Sequence, residues 1–299
     1  MSSSLTFAYY PGCSGLGTSL EYDTSTRAIC AALGVELVDI PDWSCCGSTP
    51  AHTVDHTLSS ALSARNIAQA EELDVQGIIT PCPSCLTNLK TASHRMEDEA
   101  FKEKVNKLLE KPVENKLPIM SVLQLLHEQV GVEKVAEKVV KPLEGLRLAP
   151  YYGCIMNRPP EVMNFDDCEN PIAMDELMAA LGADVAPFPL KVECCGASFG
   201  VARKDIVAKL SGKLLDAAED VEAHAFVTAC PLCQMNLDLR QSQVNSLTGS
   251  KHDMPVFYYT QLIGKALGLD AKSLQMDKLC VPPSKAFRKM EEAQQANAS

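Results

Sequence analysis

The sequence predicts an α/β protein of two tandem, duplicated domains, each built on a short parallel sheet flanked by helices. Three observations predict it. One cysteine pattern is written twice in the same order: Cys13, Cys45-Cys46-Gly47 and Cys82-Pro83-Ser84-Cys85, then Cys154, Cys194-Cys195-Gly196 and Cys230-Pro231-Leu232-Cys233. Short apolar runs alternate with stretches of helical spacing in each half, the pattern of βαβ units on a parallel sheet. The chain has 299 residues, 46% of them hydrophobic, which suits about two domains with real cores.

In the first half, residues 5–10 form an apolar run ended by Pro11-Gly12, a first strand. Residues 24–33 have helical spacing and stop at Gly34, and 35–40 read as a second strand. A long amphipathic helix is expected over 55–73 and a third strand over 77–80. Residues 83–96 read as helix, 118–120 as a short fourth strand, 121–130 as another helix, and 133–140 as a further helical stretch.

The second half repeats this beyond its cysteines. Tyr9-Tyr10-Pro11-Gly12-Cys13 is answered by Tyr151-Tyr152-Gly153-Cys154, and Ala31-Ala32-Leu33-Gly34 by Ala179-Ala180-Leu181-Gly182. Ile78-Ile79-Thr80-Pro81-Cys82 is answered by Phe226-Val227-Thr228-Ala229-Cys230, and Asn88-Leu89 by Asn236-Leu237. Pro118 and Gln124-Leu125 match Pro255 and Gln261-Leu262. The spacing from Cys46 to Cys82 is 36 residues and from Cys195 to Cys230 is 35. Self-similarity of this length indicates a duplicated, Rossmann-like domain rather than a solenoid. The boundary is expected within 142–148, giving domains 1–145 and 146–299. After Pro282 the chain turns polar and loses its hydrophobic period, which reads as a frayed terminus.

In open α/β sheets, ligands gather outside the carboxyl ends of the strands. Cys13 follows the first strand, Cys45 and Cys46 the second, and Cys82 the third, so chain order delivers all five thiols of a half to one sheet edge. Four chemistries use such thiols. The cysteines number 13, so at least one stays unpaired in any disulfide framework, and the N-terminal Met-Ser-Ser-Ser-Leu has neither the charged nor the apolar region of a signal peptide. Zinc commonly takes four ligands, whereas each half offers five, two of them adjacent. A thioredoxin-like dithiol matches Cys82-Pro83-Ser84-Cys85 but leaves Cys13, Cys45 and Cys46 without a role. An iron–sulfur cluster uses thiolates in this number. The ferredoxin-type run CxxCxxCxxxCP is absent.

At these residues the chain resembles the cysteine-rich Cys-Cys-Gly domain family, in the branch of the B-type subunit of heterodisulfide reductase. The resemblance covers nearly the whole chain. It implies a non-cubane [4Fe-4S] cluster on Cys13, Cys45, Cys46, Cys82 and Cys85, and a second on Cys154, Cys194, Cys195, Cys230 and Cys233. It also implies reductive cleavage, or formation, of a small thiol disulfide between the two clusters. Electrons would come from a ferredoxin-like partner and a flavin-containing partner, both subunits of the same complex. The alternative within the resemblance is an electron-relay subunit of a lactate-, glycolate- or succinate-type oxidoreductase.

Other residues carry weaker signals. His52 and His56 follow the first Cys-Cys-Gly, and His52 is the candidate proton donor to a product thiolate; a surface histidine is the plain alternative. Arg158, beside Pro159-Pro160, would hold an anionic substrate group or simply brace a loop. Asn88 and Asn236 read as satisfying backbone groups. Cys30 reads as core, while Cys168 and Cys280 belong to neither set. The net charge of −11 opposes nucleic-acid binding. No apolar run is long enough to span a membrane, and the expected location is cytoplasmic.

Overall fold

The structure is a computed structural model that describes residues 5–48 and 51–297. Strand β1 (Leu5–Tyr9) runs through the one-turn helix α1 (Gly12–Gly15) into α2 (Leu20–Ala32) and returns as β2 (Val35–Asp39). Helices α3 (Ala51–Val54) and α4 (His56–Ala70) follow, then β3 (Ile78–Thr80), α5 (Pro83–Arg95) and α6 (Glu99–Asn106). Strand β4 (Ile119–Ser121) leads to α7 (Val122–Gln124), a π-helical segment (Leu125–Gly131) and α8 (Val132–Glu137). The four strands pair in the order β2-β1-β3-β4, all parallel.

The second half repeats the plan. Strand β5 (Arg147–Tyr151) is followed by α9 (Pro160–Met163), α10 (Ala173–Ala180), the short β6 (Asp184–Val185) and α11 (Lys204–Asp220). Then come β7 (Ala225–Thr228), α12 (Pro231–Leu237), α13 (Gln241–Thr248), β8 (Val256–Tyr258), α14 (Tyr259–Ala266), α15 (Ala271–Leu274) and α16 (Ser284–Asn297). Its order, β6-β5-β7-β8, is again all parallel. The α/β class and the tandem duplication read from the sequence are therefore the observed architecture. Parallel sheets covered by helices on both faces need strands apolar throughout, and β3 (Ile-Ile-Thr) and β7 (Ala-Phe-Val-Thr) are buried at every position. The edge strand β2 keeps exposed positions.

Several elements differ from expectation. Helix α2 starts at Leu20 rather than 24, with Glu21 and Asp23 in its first turn, where acidic groups suit the positive helix end. Helix α4 begins where Asp55 accepts from the amides of Thr57 and Leu58, an N-cap arrangement. Helix α6 was not foreseen, since only Val105 of its eight residues is buried and an apolar period is scarcely visible. The polar tail is not frayed within the described residues: it forms α16, which docks through Ala286, Phe287 and Met290. Phe287 lies 5.5 Å from the Phe257 ring, and the Lys265 ammonium sits 4.0 Å over it. Three anchors spaced along one face suffice to hold a helix whose other positions face water.

The halves are joined by exchange. Helix α2, which follows the first strand of the first half, packs against α14, which follows the last strand of the second; α10 packs reciprocally against α7 and α8. In the α2–α14 contact, Tyr22 stacks on Tyr258 with centroids 4.1 Å apart and planes 6° from parallel. Ser25 and Thr260 share a buried 2.7 Å hydrogen bond, and Tyr22 donates to the Ala229 carbonyl at 3.1 Å. On the other side of the seam Thr87 of α5 donates to the Ile155 carbonyl at 3.3 Å. One apolar core runs through both halves, from Phe7 and Leu89 to Leu177 and Tyr259.

The docking of α16 has a direct test. Phe287→Ala should lower stability by about 1–3 kcal/mol, the loss of a partly buried ring and its aromatic and cationic partners. Thermal unfolding followed by circular dichroism checks it; an unchanged midpoint would mean α16 adds nothing to the fold.

Candidate metal centres at the strand ends

All ten cysteines of the repeat lie just past the carboxyl ends of strands. Cys13 is in α1, after β1; Cys45 and Cys46 lie in the loop after β2; Cys82 caps α5 after β3, and Cys85 is in its first turn. The second half repeats this, with Cys154 after β5, Cys194 and Cys195 after β6, and Cys230 capping α12, where Cys233 lies. Three thiols of each set are buried: Cys46, Cys82 and Cys85, then Cys195, Cys230 and Cys233. Cys13, Cys45 and Cys194 are exposed, Cys154 is half-buried, and every cysteine is a free thiol.

Within each set the sulfurs converge. Cys46 Sγ lies 3.5 Å from Cys85 Sγ, and Cys195 Sγ lies 3.7 Å from Cys233 Sγ. Two thiolates on one tetrahedral metal with bonds of about 2.3 Å sit about 3.8 Å apart, so this is the spacing of co-ligands. Cys13 feels the charges of Cys45, Cys46 and Cys82, and Cys154 those of Cys194, Cys195 and Cys230.

The cradles share their glycine, tyrosine and serine contacts. Gly12, at φ +69°, and Gly153, at φ +78°, bring the backbone so near the innermost sulfur that a Cβ would stand 2.8 Å from Cys85 Sγ or 2.9 Å from Cys233 Sγ. Both the left-handed conformation and the close approach call for glycine. Tyr10 donates to the Ser44 carbonyl at 2.6 Å, and Tyr151 to the Glu193 carbonyl at 2.8 Å. Each holds the peptide that enters the Cys-Cys pair. The structure thus aligns Tyr10 with Tyr151 without a gap, whereas the sequence comparison paired Tyr9-Tyr10 with Tyr151-Tyr152. Ser63 donates to the Cys46 carbonyl at 2.7 Å and Ser211 to the Cys195 carbonyl at 3.1 Å. These serines were missed, although both fall at nearly the same distance after their Cys-Cys pair.

The electrostatics favour a cation. Burial raises the Cys13 thiol, and raises Cys154 to about 12, with neighbouring thiols adding to both. Hydrogen bonds from Cys85 and Cys233 lower Cys46 and Cys195, while those two donors are themselves pushed up. Five sulfurs gathered this closely, three of them buried, cannot all ionise beside one another; bound metal removes that repulsion and takes the thiolates as ligands. The donor set fits a polynuclear, thiolate-held centre, in which more than four sulfurs find a metal.

The remaining residues separate. Asn236 donates to the Cys195 carbonyl at 3.2 Å and lies 3.6 Å from its sulfur, so it belongs to the second cradle; Asn88 donates to Ser84 within α5. Arg158 donates to the carbonyls of Cys168 and Val192 and pairs with Glu169 at 2.7 Å. It braces its own loop, and its donors are engaged there rather than held ready for a substrate anion. His52 is exposed on α3, and His56 opens α4. Cys30 is buried in α2, where burial lifts it to about 12. Elsewhere, His252 meets Glu219 at 2.9 Å and Asp216 at 3.6 Å, a local ion-pair group that sequence reasoning did not single out.

The glycine contacts generate a paired test. Gly12→Ala should cost the first set its metal and Gly153→Ala the second, each leaving about half of the wild-type metal after anaerobic loading. Metal analysis of folded variants checks it; full loading of both would mean the close approach is not required.

The cysteine-rich domain family known as CCG matches residues 7–90 and 148–238, one copy in each half. The chain is 35% identical to the 8-methylmenaquinol:fumarate reductase membrane anchor subunit of Wolinella succinogenes, over 93% of this chain and 98% of that protein. It is 31% identical to a protein of Archaeoglobus profundus named as like the B-type subunit of heterodisulfide reductase, over 93% and 95%. A solved structure, described as a hypothetical protein from Helicobacter pylori, superposes with a TM-score of 0.73 at 13% identity; it shares the fold over 92% of this chain, which spans 52% of that one. Among the described residues no helix is long and apolar enough to cross a membrane. Two matched copies, each with its five thiols gathered at one sheet edge, make this chain a member of the cysteine-rich CCG domain family, with the B-type subunits of heterodisulfide reductase among its relatives.

Proposed function

We propose that the chain is the iron–sulfur subunit of a multi-subunit oxidoreductase that cleaves or forms a small thiol disulfide. In this reading Cys13, Cys45, Cys46, Cys82 and Cys85 hold one non-cubane [4Fe-4S] cluster, and Cys154, Cys194, Cys195, Cys230 and Cys233 hold another. The observation that carries it is the pair of matched five-thiol cradles meeting across one seam. Tyr22, on the helix that follows Cys13, donates to the carbonyl immediately before Cys230. Helix α5, which carries Cys85, touches the loop just past Cys154. A disulfide takes up two electrons on cleavage, and two equivalent centres match its two sulfurs.

Iron–sulfur clusters, when bound, supply one-electron transfer. The chain's own residues do the rest. Gly12 and Gly153 admit the buried sulfurs, Tyr10 and Tyr151 fix the Cys-Cys peptides, and Ser63 and Ser211 hold the following turn. The apolar surroundings keep the deep thiols from water, while Cys13, Cys45 and Cys194 face outward. His52, exposed after the first Cys-Cys-Gly, is a candidate donor of one proton to a product thiolate. The sequence has neither a ferredoxin run nor a GxGxxG turn, so electrons would arrive from ferredoxin-like and flavin-containing partner subunits in the cytoplasm.

A second reading is favoured by the Wolinella relative, named as part of a quinol:fumarate reductase. There the same clusters relay electrons within a succinate- or fumarate-type complex, and no thiol reaches them. Iron and sulfide analysis with EPR separates the readings. About eight irons and eight sulfides per chain, with a signal perturbed by an added thiol, are expected from disulfide chemistry. Full clusters blind to thiols would favour the relay. Zinc without iron would overturn both.

A further inference from the structure

A cavity of about 390 Å³ opens on the seam between the halves. One wall is the connection from α1 to α2, including Gly17 and Thr18, a few residues past Cys13. The facing wall is α12 at Gln234 and Met235, directly after Cys233. The rim carries Lys278 and Cys280. Two carboxylates line the cavity, and they differ. Asp238 is fully engaged: it accepts from the amides of Cys280 at 2.7 Å and Val281 at 3.0 Å, and from Gln234 at 3.2 Å. It ties the rim to α12. Glu21 is only 9% exposed, and the donor that lowers its carboxyl is its own backbone amide. It is held by its helix and not by the rim.

Behind Glu21 stands Tyr258, at the end of β8. It is fully buried, with Ser19 as the neighbour of its hydroxyl. Glu21, Cys230 and Cys82 all act electrostatically on it. Tyr258 is therefore within electrostatic reach of the cavity carboxylate and of the leading cysteine of both CxxC pairs.

We propose that this seam cavity admits the sulfur-bearing substrate and that Glu21 is the carboxylic acid that protonates one of its sulfurs, with Tyr258 positioning the transferred proton. The proposal rests on the disulfide reading above. In cleavage the S–S bond breaks, two electrons come from the reduced iron–sulfur partner of the complex, and each sulfur takes up one proton to leave as a thiol. Glu21 gives one proton, becomes the carboxylate and regains a proton from water at the cavity mouth, and the second sulfur takes its proton from water directly; in the forming direction Glu21 accepts one thiol proton and water the other.

Glu21 is suited to that exchange. Burial raises its carboxyl above the usual carboxylate range, and the charge of Asp238 adds to the shift. The titratable or charged groups facing it are Asp238, just past α12, Tyr258 from β8, and Lys278 and Cys280 on the rim; Lys272 of α15, which also packs on α2, lies outside the cavity wall. Two acids against one lysine, beside Leu20 and Leu239, favour a small neutral or cationic thiol over a polyanionic one.

The test uses the cluster-loaded complex with 2-hydroxyethyl disulfide as substrate and 2-mercaptoethanol as the EPR probe. A general acid loses activity as pH rises through its own pKa, so wild type should show an alkaline fall in kcat. Glu21→Gln should lower kcat by about 100-fold and abolish that fall, with iron content unchanged. Glu21→Asp should restore part of both, and Tyr258→Phe should lower kcat without moving the fall. The affinity of 2-mercaptoethanol, read from EPR, should depend on pH in wild type and lose that dependence in Glu21→Gln. If wild type turns over the disulfide but Glu21→Gln keeps its rate, pH profile and EPR titration, the role of Glu21 is overturned while the disulfide reading stands. If wild type neither turns over the disulfide nor responds to 2-mercaptoethanol, the disulfide reading fails and this proposal falls with it.

Discussion

Everything in this molecule answers to one constraint: five sulfurs gathered at a pocket on the carboxyl edge of a parallel sheet, three of them buried. Left alone, such a pocket is unfavourable, because each thiolate raises the cost of ionising the next. The surrounding features make it tolerable. Glycine lets the backbone come within contact distance of the innermost sulfur, tyrosine and serine tie down the Cys-Cys peptide, and the CxxC pairs enter helices at a proline. That the same devices recur in both halves, from different flanking residues, argues that they serve the thiols rather than the general packing.

Duplication then has a second consequence. Each half sends its first long helix against the helix that leaves the other half's last strand. The exchange buries Tyr22 against Tyr258 and Ser25 against Thr260. It also links the two thiol sets mechanically, because the helix that follows Cys13 reaches the peptide before Cys230. The first cradle's buried thiols lie in the core that spans both halves and the second's in a smaller core of their own, so the seam contacts are what hold the two cradles at a fixed separation, a useful property wherever two one-electron centres must act on one substrate.

Much of this was legible in the chain. Strand positions followed from apolar runs ended by Gly or Pro, and the alternation with helices announced a parallel sheet, whose carboxyl edge is where ligands gather. What escaped had physical reasons. Helix α6 buries a single side chain and α16 three anchors, so neither shows a clear apolar period. Arg158 looked available because its partners, the carbonyls of Cys168 and Val192, are backbone groups that no side-chain pattern reveals. Asn88 and Asn236 look equivalent in sequence, yet only the second turns toward a sulfur.

The sequence by itself determined the fold class, the fact of duplication and the order in which the thiols reach the sheet edge. Thiol identity, spacing and strand order are properties of the chain read along its length, and local periodicity is enough to order them. Tertiary structure decided which groups face one another across the seam. Glu21 sits far from Asp238 and Tyr258 in sequence, and nothing local marks it as a carboxylate held in a cavity. Only the packing of α2 against the second half withdraws it from water and sets it in the cavity wall opposite Gln234 and Asp238, because burial and partnership belong to the folded arrangement and not to the residue.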